Sequence, residues 1–188
     1  KWVLSWVNEH DELLSRPPKI LDVGCGSGDD LFNISNSLNN KTDLYGIECF
    51  EKLKPVCEAK NIKTSIINIE NDKFPYSDAF FDIIIINQVL EHTKEVFWIL
   101  SEISRIAKPG ALVIIGVPNL ATWHDRIILL LGNQPSGIRL PGPHLRGITK
   151  PAMISFIQSD DYFKCLNFKG SGFFPFPEKR GSCFSRSW

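Results

Sequence analysis

The stretch that decides the fold reads Lys19-Ile20-Leu21-Asp22-Val23-Gly24-Cys25-Gly26-Ser27-Gly28-Asp29-Asp30. An apolar run carries an aspartate near its end, three glycines follow at alternate positions, and a helical pattern then begins. Because glycine lacks a Cβ and tolerates positive φ angles, such a turn lets a ligand approach bare backbone. The start of a helix offers unpaired N–H groups and a partial positive charge. The stretch therefore predicts a strand, a tight turn and a helix start that form the floor of a nucleotide-like cofactor site.

Strand and helix patterns alternate outward from this stretch, from residue 19 to residue 117. The predicted strands are Lys19–Val23, Asp43–Ile47, Lys63–Ile67, Phe81–Ile86 and Ala111–Val117. The consecutive isoleucines of the fourth strand indicate burial on both faces, as in a parallel sheet. The pattern predicts a doubly wound, Rossmann-like α/β fold, which binds ligands at the carboxyl ends of its strands. We expect a mostly parallel seven-stranded sheet with an antiparallel closing strand, supplied by the strand pair Tyr162–Phe168 and Ser171–Phe174.

A single domain is predicted over residues 1–188. Residues 19–117 form its cofactor-binding core, residues 118–148 a substrate-side insertion, and residues 149–175 a closing helix and strand pair. A helix is expected over Glu91–Ala107, stopped by Lys108-Pro109-Gly110, and another over Ala121–Leu131. The apolar run Ile127–Leu131 is interpreted as core, with the floor of a lipid or aromatic pocket as the alternative.

Composition narrows the class of function. The 188 residues contain 21 basic and 21 acidic side chains, so the formal net charge is zero, which argues against nucleic acid as a partner. Five cysteines without a C-x-x-C pair indicate free thiols in a reducing, cytoplasmic setting. The sequence shows no metal-ligand spacing, which predicts metal-independent chemistry, and no apolar run of the ~20 residues that a membrane helix needs.

The glycine spacing helps to choose the cofactor. The pattern is Gly24-x-Gly26-x-Gly28, whereas a nicotinamide fingerprint is G-x-G-x-x-G, and its third glycine position is occupied here by Asp29. Several carboxylates crowd the turn, and they suit a cationic or zwitterionic ligand better than a diphosphate. S-adenosylmethionine, with its sulfonium and amino group, meets this requirement. An NAD(P)-dependent oxidoreductase on a Rossmann sheet is a disfavoured alternative.

Four motifs in register resemble the class I S-adenosylmethionine-dependent methyltransferases, closest to the type 11 small-molecule group. They are Leu21–Gly28, which resembles motif one; Glu48 at the end of strand two; the region from Phe74-Pro75 through Phe81-Asp82-Ile83-Ile84 to Val89-Leu90-Glu91-His92; and Lys108-Pro109-Gly110-Ala111-Leu112. The resemblance covers about residues 19–117. It implies a methyltransferase that uses S-adenosyl-L-methionine.

The resemblance also implies which residues bind the cofactor. Asp22, Gly24 and Gly26 would face its methionine part, and Glu48 would hold the ribose hydroxyls, since a carboxylate accepts two hydrogen bonds at once. The whole implied set is Asp22, Gly24, Cys25, Gly26, Glu48, Cys49, Asn68, Ile69, Asn87 and Gln88. Within it Asn68 and Ile69 would flank the adenine, although many relatives have aspartate where Asn68 stands. The last two would line the methyl-donor end.

On the acceptor side the predicted catalytic residues are His92 and His144, each weighed against a structural role. A base is needed only if the acceptor must lose a proton, and histidine is suited to that near neutral pH. We expect transfer to oxygen or nitrogen of a small molecule, with a saccharide or lipid-linked precursor as one option. A non-catalytic S-adenosylmethionine-binding partner subunit remains the alternative, and the sequence leaves the oligomeric state open.

Overall fold

A computed structural model describes residues 16–39, 41–159 and 163–168. The chain divides into two compact units, one from Lys1–Ile86 and Phe97–Ile115 and the other from Asn87–Val96 and Gly116–Trp188. The predicted strand Ser171–Phe174 lies outside the described residues. Residues 163–168, which belong to the other predicted closing strand, are described and are irregular.

The first unit is built on a five-stranded sheet. Its strands are β1 (Lys19–Val23), β2 (Asp43–Glu48), β3 (Lys63–Ile66), β4 (Phe81–Asn87) and β5 (Ala107–Gly116). They lie in the order β3-β2-β1-β4-β5, and β1 pairs in parallel with both β2 and β4, while β2 pairs in parallel with β3. The strand order therefore reverses between β1 and β4, and ligands of open α/β sheets bind at such a switch point. The predicted α/β fold with parallel strands is confirmed.

Helices between the strands supply the rest of this unit. They are α1 (Asp29–Ser37), α2 (Lys54–Glu58), which follows a 3-10 turn at Glu51–Leu53, and α3 (Val96–Ile106). Leu31 and Ile34 on α1 join apolar residues of β1, β2, β4 and β5 in one buried cluster. This cluster fixes α1, and with it the glycine turn, on the sheet.

The region after β4 differs from the prediction. The expected helix Glu91–Ala107 begins only at Val96, and Leu90–His92 form a separate 3-10 turn. The Pro109-Gly110 pair does not separate helix from strand, because β5 already starts at Ala107. Proline is tolerated there since β5 is the last strand of the described sheet, and an edge strand leaves one row of N–H groups unpaired.

The second unit contains α4 (Trp123–Leu130), a 3-10 turn at Ser136–Ile138 and α5 (Lys150–Gln158). Both helices start at a threonine N-cap, where Thr122 accepts from the Asp125 N–H and Thr149 from the Ala152 N–H. The prediction that the apolar run ending α4 is core is wrong, since Leu130 is 86% exposed. Within the described ranges, no helix is long and apolar enough to cross a lipid bilayer.

Candidate active site

The glycine-rich turn joins β1 to α1 in the first unit. Gly24, Gly26 and Gly28 all have positive φ angles, between 54° and 77°. The N–H groups of Gly24 and Cys25 both donate to the Ile47 carbonyl, at 2.8 and 3.0 Å, so the turn is held against the end of β2. A Cβ added at Gly26 would meet nothing within 4 Å. The backbone therefore presents open space at Gly26, as a site for close ligand approach requires.

The Cys25 side chain faces the interior. Its Sγ lies 4.0 Å from the Sγ of Cys57, and a Cβ on Gly46 would come within 2.6 Å of it. Burial, followed by the nearby Cys57 and Asp22, raises the pKa of the Cys25 thiol, so the group stays protonated and unreactive at neutral pH. Only the backbone of Cys25 is left for a ligand.

The Glu48 carboxylate links the end of β2 to the turn. Glu48 is 6% exposed. Its Oε2 accepts from the Gly26 N–H at 2.9 Å, and its Oε1 accepts from the N–H groups of Cys49 and Phe50 at 2.8 and 3.2 Å. A carboxylate has about four acceptor positions. Oε2 keeps one for a further donor, which fits the hydroxyl contact that the resemblance implies.

The carboxylates of Asp22 and Asp30 add negative charge near Glu48 and the glycine-rich turn. Asp22 is 5% exposed at the end of β1. Burial, followed by the charges of Asp30 and Glu48, raises the pKa of Asp22 well above its usual range. A cationic ligand would relieve this repulsion, whereas a diphosphate would add to it. Of the predicted residues in this unit, Asp22, Gly24, Gly26 and Glu48 are thus brought together.

The geometry at Cys49, Asn68 and Ile69 gives weaker support for cofactor contacts than the geometry at Glu48. Cys49 is exposed, and its Sγ lies 3.3 Å from the Glu48 Oε1. Asn68 forms a local turn: its Oδ1 accepts from the Glu70 N–H at 3.1 Å, and its N–H donates to Asp72 at 2.8 Å. Ile69 is half-buried within that turn. An adenine contact by Asn68 would have to share an oxygen that already holds the turn.

The second unit contains the other predicted positions. Asn87 ends β4, and a Cβ on Gly116 would overlap its Oδ1. Gln88 has a φ of 58°, unusual for a residue with a side chain, and its N–H donates to the Gly116 carbonyl at 2.8 Å. Such conformations cluster at functional sites, where surrounding contacts hold them in place.

The structure brings His92 and His144 together although 51 residues separate them in the chain. Their ring centroids lie 4.7 Å apart. The Nδ1 of His92 is 3.1 Å from the Pro143 carbonyl, and the Nδ1 of His144 is 2.6 Å from the Gly137 carbonyl. His92 is exposed and His144 is half-buried.

Sequence reasoning did not single out Glu91 as a candidate site residue. One ligand atom from each of Glu91, His92 and His144 lies within 4.8 Å of the others. Glu91 is 1% exposed, and neither of its carboxylate oxygens has a hydrogen-bond partner among the described residues. Burial raises the pKa of Glu91, against the smaller lowering effects of its own backbone N–H and then of the two histidines. An acidic residue in the apolar segment Val89–Leu90 before His92 was the available signal.

Comparison with known proteins identifies the family of this chain. Residues 7–165 match the family described as methionine biosynthesis protein MetW. The chain belongs to the MetW family. It is also 31% identical over 100 residues to a demethylmenaquinone methyltransferase of Lactococcus lactis subsp. lactis, covering 50% of this chain and 40% of that protein. It is 26% identical over 123 residues to a norajmaline N-methyltransferase of Rauvolfia serpentina, covering 60% of this chain and 40% of that protein.

Among solved structures, an S-adenosylmethionine-dependent methyltransferase from Archaeoglobus fulgidus has a TM-score of 0.62 and 18% sequence identity. The match covers 91% of this chain and 73% of that one. At that identity the likeness shows the fold alone. The chain spans 40% of the length of each of these two curated relatives. The methyltransferase names of the curated relatives and the shared fold agree with the predicted resemblance to the class I S-adenosylmethionine-dependent methyltransferases.

Proposed function

We propose that this protein transfers a methyl group from S-adenosylmethionine to an oxygen or nitrogen atom of a small molecule. The observation that carries the proposal is the pairing of the Glu48 carboxylate with the Gly26 N–H at 2.9 Å. It places a buried acceptor directly beside a backbone position with open space above it. The names of the curated relatives, both methyltransferases, support the same reaction.

Residues of the first unit would hold the cofactor. Oε2 of Glu48 accepts from a ribose hydroxyl, and the open backbone at Gly24 and Gly26 faces the methionine part. Asp22 provides the negative charge that favours the amino group and the sulfonium. Asn68 and Ile69 flank the adenine. When bound, S-adenosylmethionine supplies a methyl carbon already activated by the sulfonium, so transfer itself needs no metal.

What remains for the protein is alignment and exclusion of water. His92 and His144 serve the acceptor side, where an imidazole with a free lone pair can take a proton from a hydroxyl near neutral pH. The zero net charge supports a small acceptor over nucleic acid, and a saccharide or lipid-linked precursor is included in the proposal. We further propose a cytoplasmic setting and a single domain over 1–188.

Titration calorimetry with S-adenosylmethionine and S-adenosylhomocysteine tests the proposal. Glu48→Gln replaces one acceptor oxygen by an amide that cannot accept, and hydrogen bonds to charged groups contribute about 1.5–3 kcal/mol. We expect Kd to rise about tenfold or more. Glu58→Gln on α2 is the matched control, since Glu58 is exposed, and its Kd should equal that of the parent.

An unchanged Kd in Glu48→Gln would remove Glu48 from the site. Binding of NAD(H) with no binding of S-adenosylmethionine would replace the proposal by the oxidoreductase alternative. A screen of acceptor classes for release of S-adenosylhomocysteine tests the transfer step. Tight cofactor binding with no transfer to any acceptor would favour the non-catalytic partner subunit.

A further inference from the structure

The cluster of Glu91, His92 and His144 has a donor set that the methyl-transfer proposal does not use in full. Two of its members come from the 3-10 turn after β4, and the third comes from the segment before α5. Contacts beyond the cluster join the two segments: the Leu145 N–H donates to the Glu91 carbonyl at 2.7 Å, and Arg146 donates to the Thr93 carbonyl at 2.8 Å. The backbone therefore already holds the three side chains near one another.

The backbone also sets the protonation of both imidazoles. A carbonyl oxygen only accepts hydrogen bonds, so the Nδ1 of His92 must donate to Pro143 and the Nδ1 of His144 must donate to Gly137. In each neutral ring the lone pair is then on Nε2. Metal-binding histidines are arranged in this way, with one ring nitrogen donating to a carbonyl while the other binds the ion.

Glu91 supplies the second, independent observation. Its carboxylate is buried to 1% exposure, and both oxygens lack a partner in the described part of the chain. Leaving a buried polar group unsatisfied is unfavourable, and more so for a charged group. Such a group is retained where something outside the protein pairs with it, and a cation pairs with a carboxylate.

We propose that Glu91, His92 and His144 bind a divalent transition-metal ion. Two imidazoles and one carboxylate suit Zn²⁺, Fe²⁺, Mn²⁺ or Co²⁺, whereas Mg²⁺ and Ca²⁺ prefer oxygen ligands throughout. Ligand atoms around a tetrahedral ion with bonds of about 2.0–2.2 Å lie about 3.4 Å apart. The separations of up to 4.8 Å would therefore close on binding. Three protein ligands leave at least one coordination position open to an oxygen or nitrogen atom of a further molecule.

The spacing rules of sequence analysis miss this site, because two ligands are adjacent and the third is 52 residues further on. The site does not depend on methyl transfer: the ion would bind whether or not the first unit holds S-adenosylmethionine. A bound ion would occupy the Nε2 lone pairs of both histidines, so the metal site and the base role proposed above for His92 and His144 are alternatives.

Titration calorimetry of the chelator-treated, dialysed protein with ZnCl₂ tests the site, and visible absorption with CoCl₂ reports its ligands. We expect one equivalent to bind. Glu91→Gln keeps the shape of the side chain, and His144→Ala removes an imidazole. Each should weaken binding at least about tenfold, since even losing a partner of a ligand costs about 10–100-fold. His124→Ala on α4 is the matched control and should bind like the parent.

Circular dichroism checks that each variant is folded, and S-adenosylhomocysteine binding on the same samples tests the proposed function separately. Parent protein that takes up neither zinc nor cobalt would overturn the metal site. So would equal affinity in the parent, Glu91→Gln and His144→Ala, because zinc held by the exposed thiol of Cys49 would survive both substitutions. Loss of binding in the two cluster variants alone supports the site.

Discussion

Different physical constraints favour glycine at different positions of the turn between β1 and α1. Gly26 and Gly28 share positive φ angles, of 54° and 75°, but their surroundings differ. A Cβ at Gly28 would overlap the Ile62 side chain and lie 3.5 Å from the Sγ of Cys57, whereas a Cβ at Gly26 would meet nothing within 4 Å. Packing therefore restricts Gly28, and only backbone conformation and the proposed ligand restrict Gly26.

Alanine substitutions separate these effects. Gly26→Ala should cost about 1 kcal/mol of unfolding free energy from its left-handed conformation and should weaken cofactor binding, because its methyl group enters the proposed ligand space. Gly28→Ala carries the same backbone cost plus about 1–3 kcal/mol for overpacking. Urea unfolding and calorimetry with S-adenosylhomocysteine measure both quantities. Equal losses of stability in the two variants would contradict the assignment.

Part of the candidate site could be predicted from the sequence. The glycines and Asp22 were predicted from a local pattern that ends a strand and starts a helix, whereas Glu48 was predicted from the resemblance to a known family. Glu91 could not be predicted, since its significance lies in burial without a partner, which depends on contacts distant in sequence. The pairing of His92 with His144 also depends on long-range folding, although each was proposed separately.

At the level of elements, one buried carboxylate connects the starts of the strands. Asp82 near the start of β4 accepts from the Lys19 N–H of β1 at 2.8 Å, from Lys108 of β5 at 2.6 Å, and from Arg16 at 3.0 and 3.1 Å. Burial alone would raise the pKa of Asp82, but these hydrogen bonds outweigh it and the net pKa is lowered. The carboxylate is therefore charged in the folded protein and links three strands.

Asp82→Asn tests this link. A carboxyl whose folded pKa is lowered stabilises the protein above its unfolded pKa of about 3.9, and that contribution is lost as the pH falls through the folded value. We expect the variant to lose about 1–3 kcal/mol of unfolding free energy near neutral pH, with the difference from the parent shrinking as the pH falls below the unfolded pKa. Urea midpoints across pH measure it. Asp43→Asn, in an exposed ion pair with Lys63, should change little, and a pH-independent loss in Asp82→Asn would contradict the argument.

The strands were predicted best where an apolar run has clear polar boundaries. The strands β1 to β4 fall within one residue of their predicted ends, because their apolar runs are bounded by polar turns. The start of β5 was misplaced since a proline and a glycine normally interrupt a strand, and the sequence does not show that β5 occupies an edge. The late start of α3 has a similar cause: the 3-10 turn at Leu90–His92 has the same apolar spacing as a helix over so short a segment.

For the whole molecule, equal numbers of acidic and basic residues leave no net field to attract a charged ligand from a distance. Attraction of a cationic cofactor must then come from local charge. In the proposed site, the carboxylates of Asp22, Asp30 and Glu48 would provide it, and burial together with the other two charges raises the pKa of Asp22. We therefore expect cofactor affinity in the proposed site to be coupled to protonation of Asp22.

The charge of Asp22 decides whether affinity for the cofactor rises or falls with pH. Protonated Asp22 has no charge to offer a cation, so a cationic cofactor binds the ionised form and lowers the pKa of Asp22 on binding. Affinity for S-adenosylmethionine should fall as the pH falls through the raised pKa, above the usual value of about 3.9, and binding in that range should release a proton. Calorimetry in two buffers of different ionisation enthalpy counts the proton, and Asp22→Asn should abolish its release and flatten the pH dependence. Proton release that persists in Asp22→Asn would assign the coupling to another group, and an affinity independent of pH in the parent would show that Asp22 does not face the cofactor.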